Sequence, residues 1–415
     1  MSNDPRRRLA AAIGRDAIAA GPPVTIDGLR SSVVVVPETR EAAREALRAC
    51  GQDGFAVVPV GNGTAQDLGN ALERFDVALK TTGLSRIVEY EPRDLVATVE
   101  PGVRVIDLLS LLQKSGQTLP IDPAGVETRT IGGLVATNAF GPRRARFGSA
   151  RDAIIGATVV TPDGKETRAG GRVVKNVSGF DLHKLLCGSL GSLGVAVEIS
   201  LKLRPLDRAR ATAIVEAKDA AAAADFVVRL RRGAFIPSAL DAWIEEPPAV
   251  RLAVRFEESE EAVESQVKAL ETLGLPVSAV TSDDADIWKR LRDVALPSPD
   301  DVVLRVACRP AAAIPLLAAL REKAGEGAKV VARPAAGALA VRFPASPEAR
   351  ARIDAVRAAL PLGAFAVVEC APAAWKRDGL DALAIPAPVL DVHRRLKAVF
   401  DPARCLAPGR LGKGV

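Results

Sequence analysis

The chain has 415 residues, 48% of them hydrophobic, which allows about two domains of ~100–200 residues with sizeable cores. Lys+Arg 56 against Asp+Glu 50 leaves a net charge of +6, but the charges are interspersed and aromatics are only 4%. The stacking platforms of a single-strand nucleic-acid binder are therefore missing, no nucleic-acid partner is expected, and the basic balance reads as solvated surface.

The chain opens on Met1-Ser2-Asn3-Asp4-Pro5-Arg6-Arg7-Arg8 and a short Ala-rich segment broken by Gly14, Arg15 and Asp16, without the apolar run of a signal peptide. No uncharged stretch approaches the roughly 18 apolar residues of a membrane span. A cytoplasmic chain is expected, peripheral at a membrane only through partners. The five cysteines, at 50, 187, 308, 370 and 405, are scattered and form no C-x-x-C pair. That argues for a reducing compartment and against a disulfide framework, an iron-sulfur cluster or a zinc site, so no metal is expected.

Residues 32–36 (SVVVV) read as a strand stopped by Pro37, and Glu38 to Cys50 as a helix with Ala and Leu at helical spacing. The apolar run Phe55-Ala56-Val57-Val58 is a second strand, and it delivers the turn Gly61-Asn62-Gly63-Thr64. Arg86 to Tyr90 and Leu95 to Glu100 alternate as two further strands. Val103 to Ser115 is an amphipathic helix with Val105, Leu108, Leu109 and Leu112 on its core face. Pro120-Ile121-Asp122-Pro123-Ala124-Gly125 is too rich in proline for helix or central strand and reads as a loop.

Thr130 to Asn138 (TIGGLVATN) starts a helix on a glycine pair. Glycine is a poor helix former, so Gly132 and Gly133 serve something else, and the economical candidate is a flat ligand lying against bare backbone. Asn138 offers an amide to such a ligand or caps the helix C-terminus. Arg143, Arg144 and Arg146 form the one local basic cluster and read as a solvated loop. Residues Ala153 to Thr161 and Lys165 to Thr167 flank Pro162-Asp163-Gly164, a hairpin turn. Gly188, Gly191 and Gly194 recur every three residues before a strand from Val195 to Pro205.

A dinucleotide diphosphate needs donors that neither titrate nor occupy volume, and consecutive amides of a glycine turn supply them. Gly61-Asn62-Gly63-Thr64 fits that need but also fits a plain turn. It is not a nicotinamide fingerprint, because the third glycine position holds Gln66.

The ordered set PVGNGT, VEPGV, PIDPAG, TIGGLVATN, GSARD, KNVSGFDLHKLLCGSLGSLGV and FDPARCLAPGRL resembles flavoproteins of the vanillyl-alcohol oxidase and p-cresol methylhydroxylase (PCMH) type. Within that superfamily it is most similar to the FAD-binding E subunits of glycolate oxidase, also called glycolate dehydrogenase. The motifs cover about the first half of the chain and its last residues. The resemblance implies FAD held by Gly61, Asn62, Gly63, Thr64, Pro123, Ala124, Thr130, Ile131, Gly132, Gly133, Asn138, Gly191 and Val195. It implies an α+β fold: a two-subdomain FAD-binding domain over 1–205, an α+β cap over 206–385, and a segment over 386–415 that returns to the FAD domain. Where covalent relatives carry histidine in the first loop this chain has Asn62, so a noncovalent flavin is expected. Phe180 replaces the tyrosine of the family's KN(V)AGYD. Ala407 replaces the asparagine of its N-P-G-R ending, which puts the C-terminal flavin contact in doubt.

From Leu206 helical runs (Lys218 to Arg232, Glu257 to Leu273, Ala311 to Lys323, Pro347 to Ala359) alternate with strands (Ala249 to Phe256, Val302 to Cys308, Ala338 to Phe343, Phe365 to Cys370). That pattern suggests an antiparallel sheet with helices on one face, followed by a returning helix from Val389 to Val399. Hydroxy-acid dehydrogenases of the superfamily place a histidine cluster in the cap, whereas this chain has only His183, on the expected KNVSGFD helix, and His393. Oxidising an alcohol by hydride loss calls for a positioned base, normally histidine. No catalytic residue is assigned. The expectation is an FAD-binding subunit of a glycolate dehydrogenase complex, beside a related catalytic flavoprotein subunit acting on the 2-hydroxy acid and an iron-sulfur subunit. A stand-alone FAD dehydrogenase of another hydroxy acid or alcohol, and a scaffold without flavin, are the rivals.

Overall fold

A computed structural model describes residues 4–172 and 180–415. After a short helix α1 (Pro5–Ile13), strand β1 (Val33–Val35), helix α2 (Arg40–Asp53) and strands β2 (Val57–Val60) and β3 (Val77–Lys80) build a small parallel sheet in the order β1-β3-β2. The helix begins where Thr39 accepts the Ala42 amide at 3.1 Å and ends at Gly54, which is left-handed at φ +72°. Its face Ala43, Ala46, Leu47 and Cys50 packs on the valines of the sheet.

The second subdomain is an antiparallel sheet of β4 (Ile87–Glu91), β5 (Val96–Val99), β6 (Ile154–Val160), β7 (Glu166–Gly170) and β8 (Val195–Lys202), ordered β7-β6-β8-β5-β4. Its core gathers α3 (Val105–Gln113) and the seven-residue α4 (Ile131–Thr137), with Leu108, Leu112, Ile131 and Leu134 fully buried. The expected helix around His183 is a single 3-10 turn, Leu182–Leu186. Lys175 to Gly179 of that motif lie outside the described residues.

The cap is one eight-stranded antiparallel sheet: β9 (Ala209–Ala217), β10 (Ala239–Trp243), β11 (Val250–Glu258), β12 (Val277–Thr281), β13 (Asp301–Ala307), β14 (Lys329–Arg333), β15 (Ala338–Pro344) and β16 (Phe365–Cys370). The spatial order is β12-β9-β11-β10-β14-β15-β13-β16. Helices α5 (Ala220–Arg232), α6 (Glu260–Leu270), α8 (Ala313–Ala324) and α9 (Ala349–Ala358) cover one face, while α7 (Ala285–Arg292) covers part of the other. Phe226, Phe256 and Phe343 are completely buried under the four helices. Each contributes on the order of 1.5–3 kcal/mol by leaving water.

The uncovered part of the opposite face carries charge. Strand alternation puts Asp241, Arg333, Arg305 and Glu369 on it, with Asp241 and Arg333 nearest each other through the β10–β14 pairing. This face meets the N-terminal half through ion pairs. Arg143 donates to Glu257 at 3.1 Å, Arg146 donates to Glu258 at 2.7 Å, and Arg292 pairs with Glu127 at 2.7 Å. The cluster expected to be a solvated loop is thus a clamp between the halves, because its partners lie far away in sequence on β11.

Helix α10 (Ala387–Phe400) returns the chain. Its one buried residue, Lys397, donates to the carbonyls of Ser192 (2.8 Å) and Leu406 (2.5 Å) and pairs with Asp401 at 2.8 Å. That lysine ties the glycine-rich segment before β8 to the C-terminal residues. A second buried knot joins Asp27, Lys376 and Arg410: Lys376 Nζ pairs with one Asp27 oxygen and Arg410 reaches the other at 2.8 Å.

Candidate cofactor site

Two cavities share Ala65, Leu68 and Thr137 as a common wall. The first is a solvent-open cleft of about 880 Å³ between the turn after β2, the start of α4 and the segment before β8. Gly61, Asn62, Gly63, Thr64, Thr130, Gly132, Gly133, Gly191 and Val195 all line it. Residues more than 130 positions apart are brought together because β2 and α4 converge: the Arg104–Thr130 bridge and the Ile131 amide to Val103 carbonyl bond (2.8 Å) hold α4 in place.

The glycines do different jobs. A Cβ on Gly132 would stand 2.7 Å from the Pro101 Cβ and 3.0 Å from its carbonyl oxygen, so this glycine answers to protein packing. A Cβ on Gly61 would collide with the Thr130 hydroxyl. Gly133 meets only that hydroxyl, at 3.3 Å, and otherwise faces the cleft; Gly63 has φ +76° and open space beside it. Gly191, at φ +73°, lies over the Pro59 ring. Bare main chain toward the cleft is thus held by Gly63 and Gly133, and the other glycines make the close packing that shapes it.

The Thr130 side chain accepts the Gly133 amide at 3.2 Å and caps α4. Asn62 donates its side-chain amide to the Thr128 carbonyl at 2.7 Å, which fixes the first loop against the segment before α4. Of the residues singled out from the sequence, Pro123 and Ala124 line only the second cavity, and Ile131 and Asn138 line neither. Ile131 is fully buried in the core beneath it. Asn138 is the left-handed C-cap of α4 at φ +46°, and its oxygen accepts the Arg151 amide at 3.2 Å. A hairpin-distant partner engages that amide, which the sequence pattern of a short helix does not reveal.

Arg410 is a wall residue that motif reading passed over. It is 2% exposed, donates to Asp27 and to the Asn70 carbonyl (3.0 Å), and keeps Nη2 without a partner inside the chain. Ala407, where the doubted contact would lie, is fully buried and left-handed at φ +43°. Its amide closes on the Val57 carbonyl at 2.9 Å, which aligns the C-terminal residues beside β2.

The second cavity, about 580 Å³, lies between the Pro123-Ala124 loop and the charged face of the cap. Arg129 Nε donates to the Ala124 carbonyl at 2.7 Å and sets the loop. Beneath, burial pushes Asp241 up to about 7 against the pull of Arg333, and pushes Asp122 up to about 6 against the pull of Arg143. His183 is 3% exposed; desolvation holds its pKa below the usual imidazole value, with Asp181 opposing. Neither histidine lines either of the two cavities. Among the described residues no cluster of three metal-ligating side chains occurs, all five cysteines are free, and no helix is long and apolar enough to cross a membrane.

The residues fit a flavin dinucleotide: a long cleft, main chain exposed at two glycines, and a buried guanidinium with a spare donor. A two-subdomain domain of this kind under an antiparallel cap is the fold seen in flavoproteins of the vanillyl-alcohol oxidase and p-cresol methylhydroxylase type. Residues 31–170, about a third of the chain, match the family described as "FAD binding domain". The chain is 45% identical over 124 residues to glycolate oxidase subunit GlcE of Escherichia coli, covering 30% of this chain and 35% of that one. It is 31% identical over 214 residues to glycolate oxidase subunit GlcD of Bacillus subtilis, covering 52% and 45%. The chain thus spans less than half the length of these curated relatives. Alkyldihydroxyacetonephosphate synthase shares the fold at a TM-score of 0.71 and 15% identity, over 97% of this chain and 85% of that one.

Proposed function

We propose that the chain is the FAD-binding subunit of a glycolate dehydrogenase complex, supporting oxidation of a 2-hydroxy acid to its 2-oxo acid. The observation that carries this reading is the 880 Å³ cleft, whose inner wall is main chain at Gly63 and Gly133 and whose far wall is Arg410. Gly61 to Thr64, Thr130, Gly132, Gly133, Gly191 and Val195 would hold the dinucleotide there, with Pro123 and Ala124 beside the second cavity. Bound FAD supplies a two-electron acceptor. Asn62 stands where covalent relatives have histidine and its amide is engaged by Thr128, which supports a noncovalent flavin.

The chain's own contribution is binding and orientation. Hydroxyl deprotonation needs a base within about 2.6–3.2 Å of the proton. The two histidines are absent from both cavities, and the Glu369 carboxylate is engaged by Arg305 at 2.8 Å. This supports a division of labour in which a related flavoprotein subunit removes the proton and hydride, and an iron-sulfur subunit takes the electrons.

The test is a purified chain, alone and with its partners. Alone it should show flavin bands near roughly 370 and 450 nm, as oxidised flavin does, and acid precipitation should leave the chromophore in the supernatant. Glycolate added anaerobically should bleach the spectrum only when the co-purifying subunits are present. A colourless chain would remove the reading, and bleaching of the isolated chain would make it a self-sufficient dehydrogenase.

A further inference from the structure

Three arginines enclose the second cavity, and their charge is only partly matched. Arg333, at the end of β14, is 4% exposed, and its Nε and Nη2 have no hydrogen-bond partner in the chain. Its nearest carboxylate is Asp241, 3.5 Å away on the adjoining strand and itself without a hydrogen bond, and Asp122 lies close enough to feel its charge. Arg305, in the middle of β13, contacts Glu369 at 2.8 Å, yet its Nε lacks hydrogen-bond alignment. Arg129 closes the flavin-domain side, with Nε on the Ala124 carbonyl.

The register explains why these groups face empty space. Arg333 pairs across β15 with Ala338, and Arg305 pairs with Ala340, so the strand between them presents methyl groups at the positions flanked by the guanidiniums. The floor is low, with Arg333 on one side and the Arg305–Glu369 pair on the other. Buried donors without acceptors are destabilising, a penalty a ligand with matching acceptors would remove. A planar anion with two or three oxygens meets that need, and a guanidinium fork matches a carboxylate in two parallel bonds. Two guanidiniums flanking a single strand span a short carboxylic acid better than an extended one.

We propose that this cavity is a binding site for one small carboxylate, the size of a 2-hydroxy or 2-oxo acid, clasped by Arg333 and Arg305 with Arg129 opposite. Binding needs no base, so the site operates in a subunit that does not itself take the proton. It deepens the proposed function, and rests on it only for the kind of acid expected; the three arginines belong to the chain whether or not partners or flavin are attached.

The probe is oxalate, titrated calorimetrically into the full-length chain, with acetate and inorganic phosphate as separate arms and flavin content measured on the same sample. A single oxalate site is expected. Arg333→Gln and Arg305→Gln should each weaken it at least about 30-fold, in the range found for truncating one partner of a buried charge pair. Flavin content should stay that of the unaltered chain. Arg305, partly exposed on its side chain, keeps the test decisive should Arg333→Gln not fold. Absence of an oxalate site in the folded chain, retention of binding in both variants, or tighter binding of phosphate than of oxalate would each overturn the proposal. If partners fail to co-purify while oxalate still binds with this arginine dependence, the complex assignment falls and the carboxylate site stands.

Discussion

On the flavin-domain side of the paired cavities the wall is main chain at Gly63 and Gly133; on the cap side it is Arg305, Arg333 and Glu369. At Gly63 and Gly133 the first wall presents no side chain, only donors that are fixed by the fold. The second consists of charges taken out of water, whose protonation and pairing depend on what lies between them. A large invariant cofactor suits the first material, and a small exchangeable anion suits the second. The difference separates two functions that share one continuous cleft.

The sharpest break of that comparison is Gly133→Val. The Cβ position is open apart from the Thr130 hydroxyl at 3.3 Å, so a branched side chain enters the cleft and not the core. Overpacking of this kind costs roughly 1–3 kcal/mol in a site that cannot adjust, and more against a rigid ring system. Flavin absorbance per chain should fall on the order of tenfold or more, while the far-ultraviolet circular dichroism melt moves little. Gly132→Ala gives the opposite pattern: its methyl group would press on Pro101, so the melt drops first. Equal flavin content in Gly133→Val and the unaltered chain would remove the cleft from consideration as the cofactor's place.

Lys376→Met tests whether the two materials belong to one cooperative unit. The lysine comes from the cap end of the chain, Asp27 from the first subdomain and Arg410 from the C-terminus, and all three are nearly or fully buried. Arg410 still pairs with Asp27 at 2.8 Å, but one Asp27 oxygen and the Asp67 carbonyl lose their donor, so the loss should be about 1–3 kcal/mol for each acceptor left unsatisfied. Urea unfolding should show a single transition at lower midpoint. Two separated transitions would show that the halves are stabilised independently.

How far this was legible in the sequence follows the same divide. The glycine turn after β2, the glycine pair opening α4 and the hairpin at Pro162-Asp163-Gly164 were readable because backbone geometry is written locally, in residues few positions apart. Within the cap, β11, β13, β15 and β16 were readable from alternation, but β9, β10, β12 and β14 were not named. Strand β10 (ALDAW) is buried at every position and so does not alternate, and Lys329–Arg333 is a five-residue stretch next to turns. The role of Arg143 and Arg146 was misread as solvated loop, since Glu257 and Glu258 are more than 110 residues away. Arg305 and Arg333 carried no motif at all, and Arg410, though it closes the APGR ending, was given no role of its own. Their significance comes from strand pairing and burial, which no spacing rule encodes.

The clamp between the two walls gives a smaller effect. Arg143→Gln removes the 3.1 Å contact to Glu257 but leaves that carboxylate with Arg255 at 3.6 Å. Both side chains of the lost pair are largely shielded from water, so the loss should be about 1–2 kcal/mol, below the range for an unrescued buried charge. Thermal unfolding checks the loss of stability. A double-mutant cycle with Glu257→Gln should return a favourable coupling; a coupling of zero would mean that the clamp is solvated after all.

The smallest effect concerns the charge balance of the cap wall. Burial raises Asp241 from its ordinary 3.8 to about 7, with Arg333 opposing, so the folded chain keeps a proton that the unfolded chain has lost. Stability then falls as pH rises through the window from about 4 to about 7, and is independent of this group below and above it. Asp122, raised to about 6, adds a parallel decline that ends lower. Asp241→Asn removes the first contribution and keeps the second. The variant should therefore gain on the unaltered chain as pH rises from 5 to 8, by on the order of 1 kcal/mol; the asparagine amide's own need of partners is the same at every pH and does not enter that gain. Unfolding midpoints at four or five pH values suffice. A difference that stays flat, or that runs toward lower stability of Asp241→Asn at pH 8, would mean that the ion pair with Arg333 outweighs desolvation. The cap wall would then be internally neutralised, with less cationic charge left for a carboxylate.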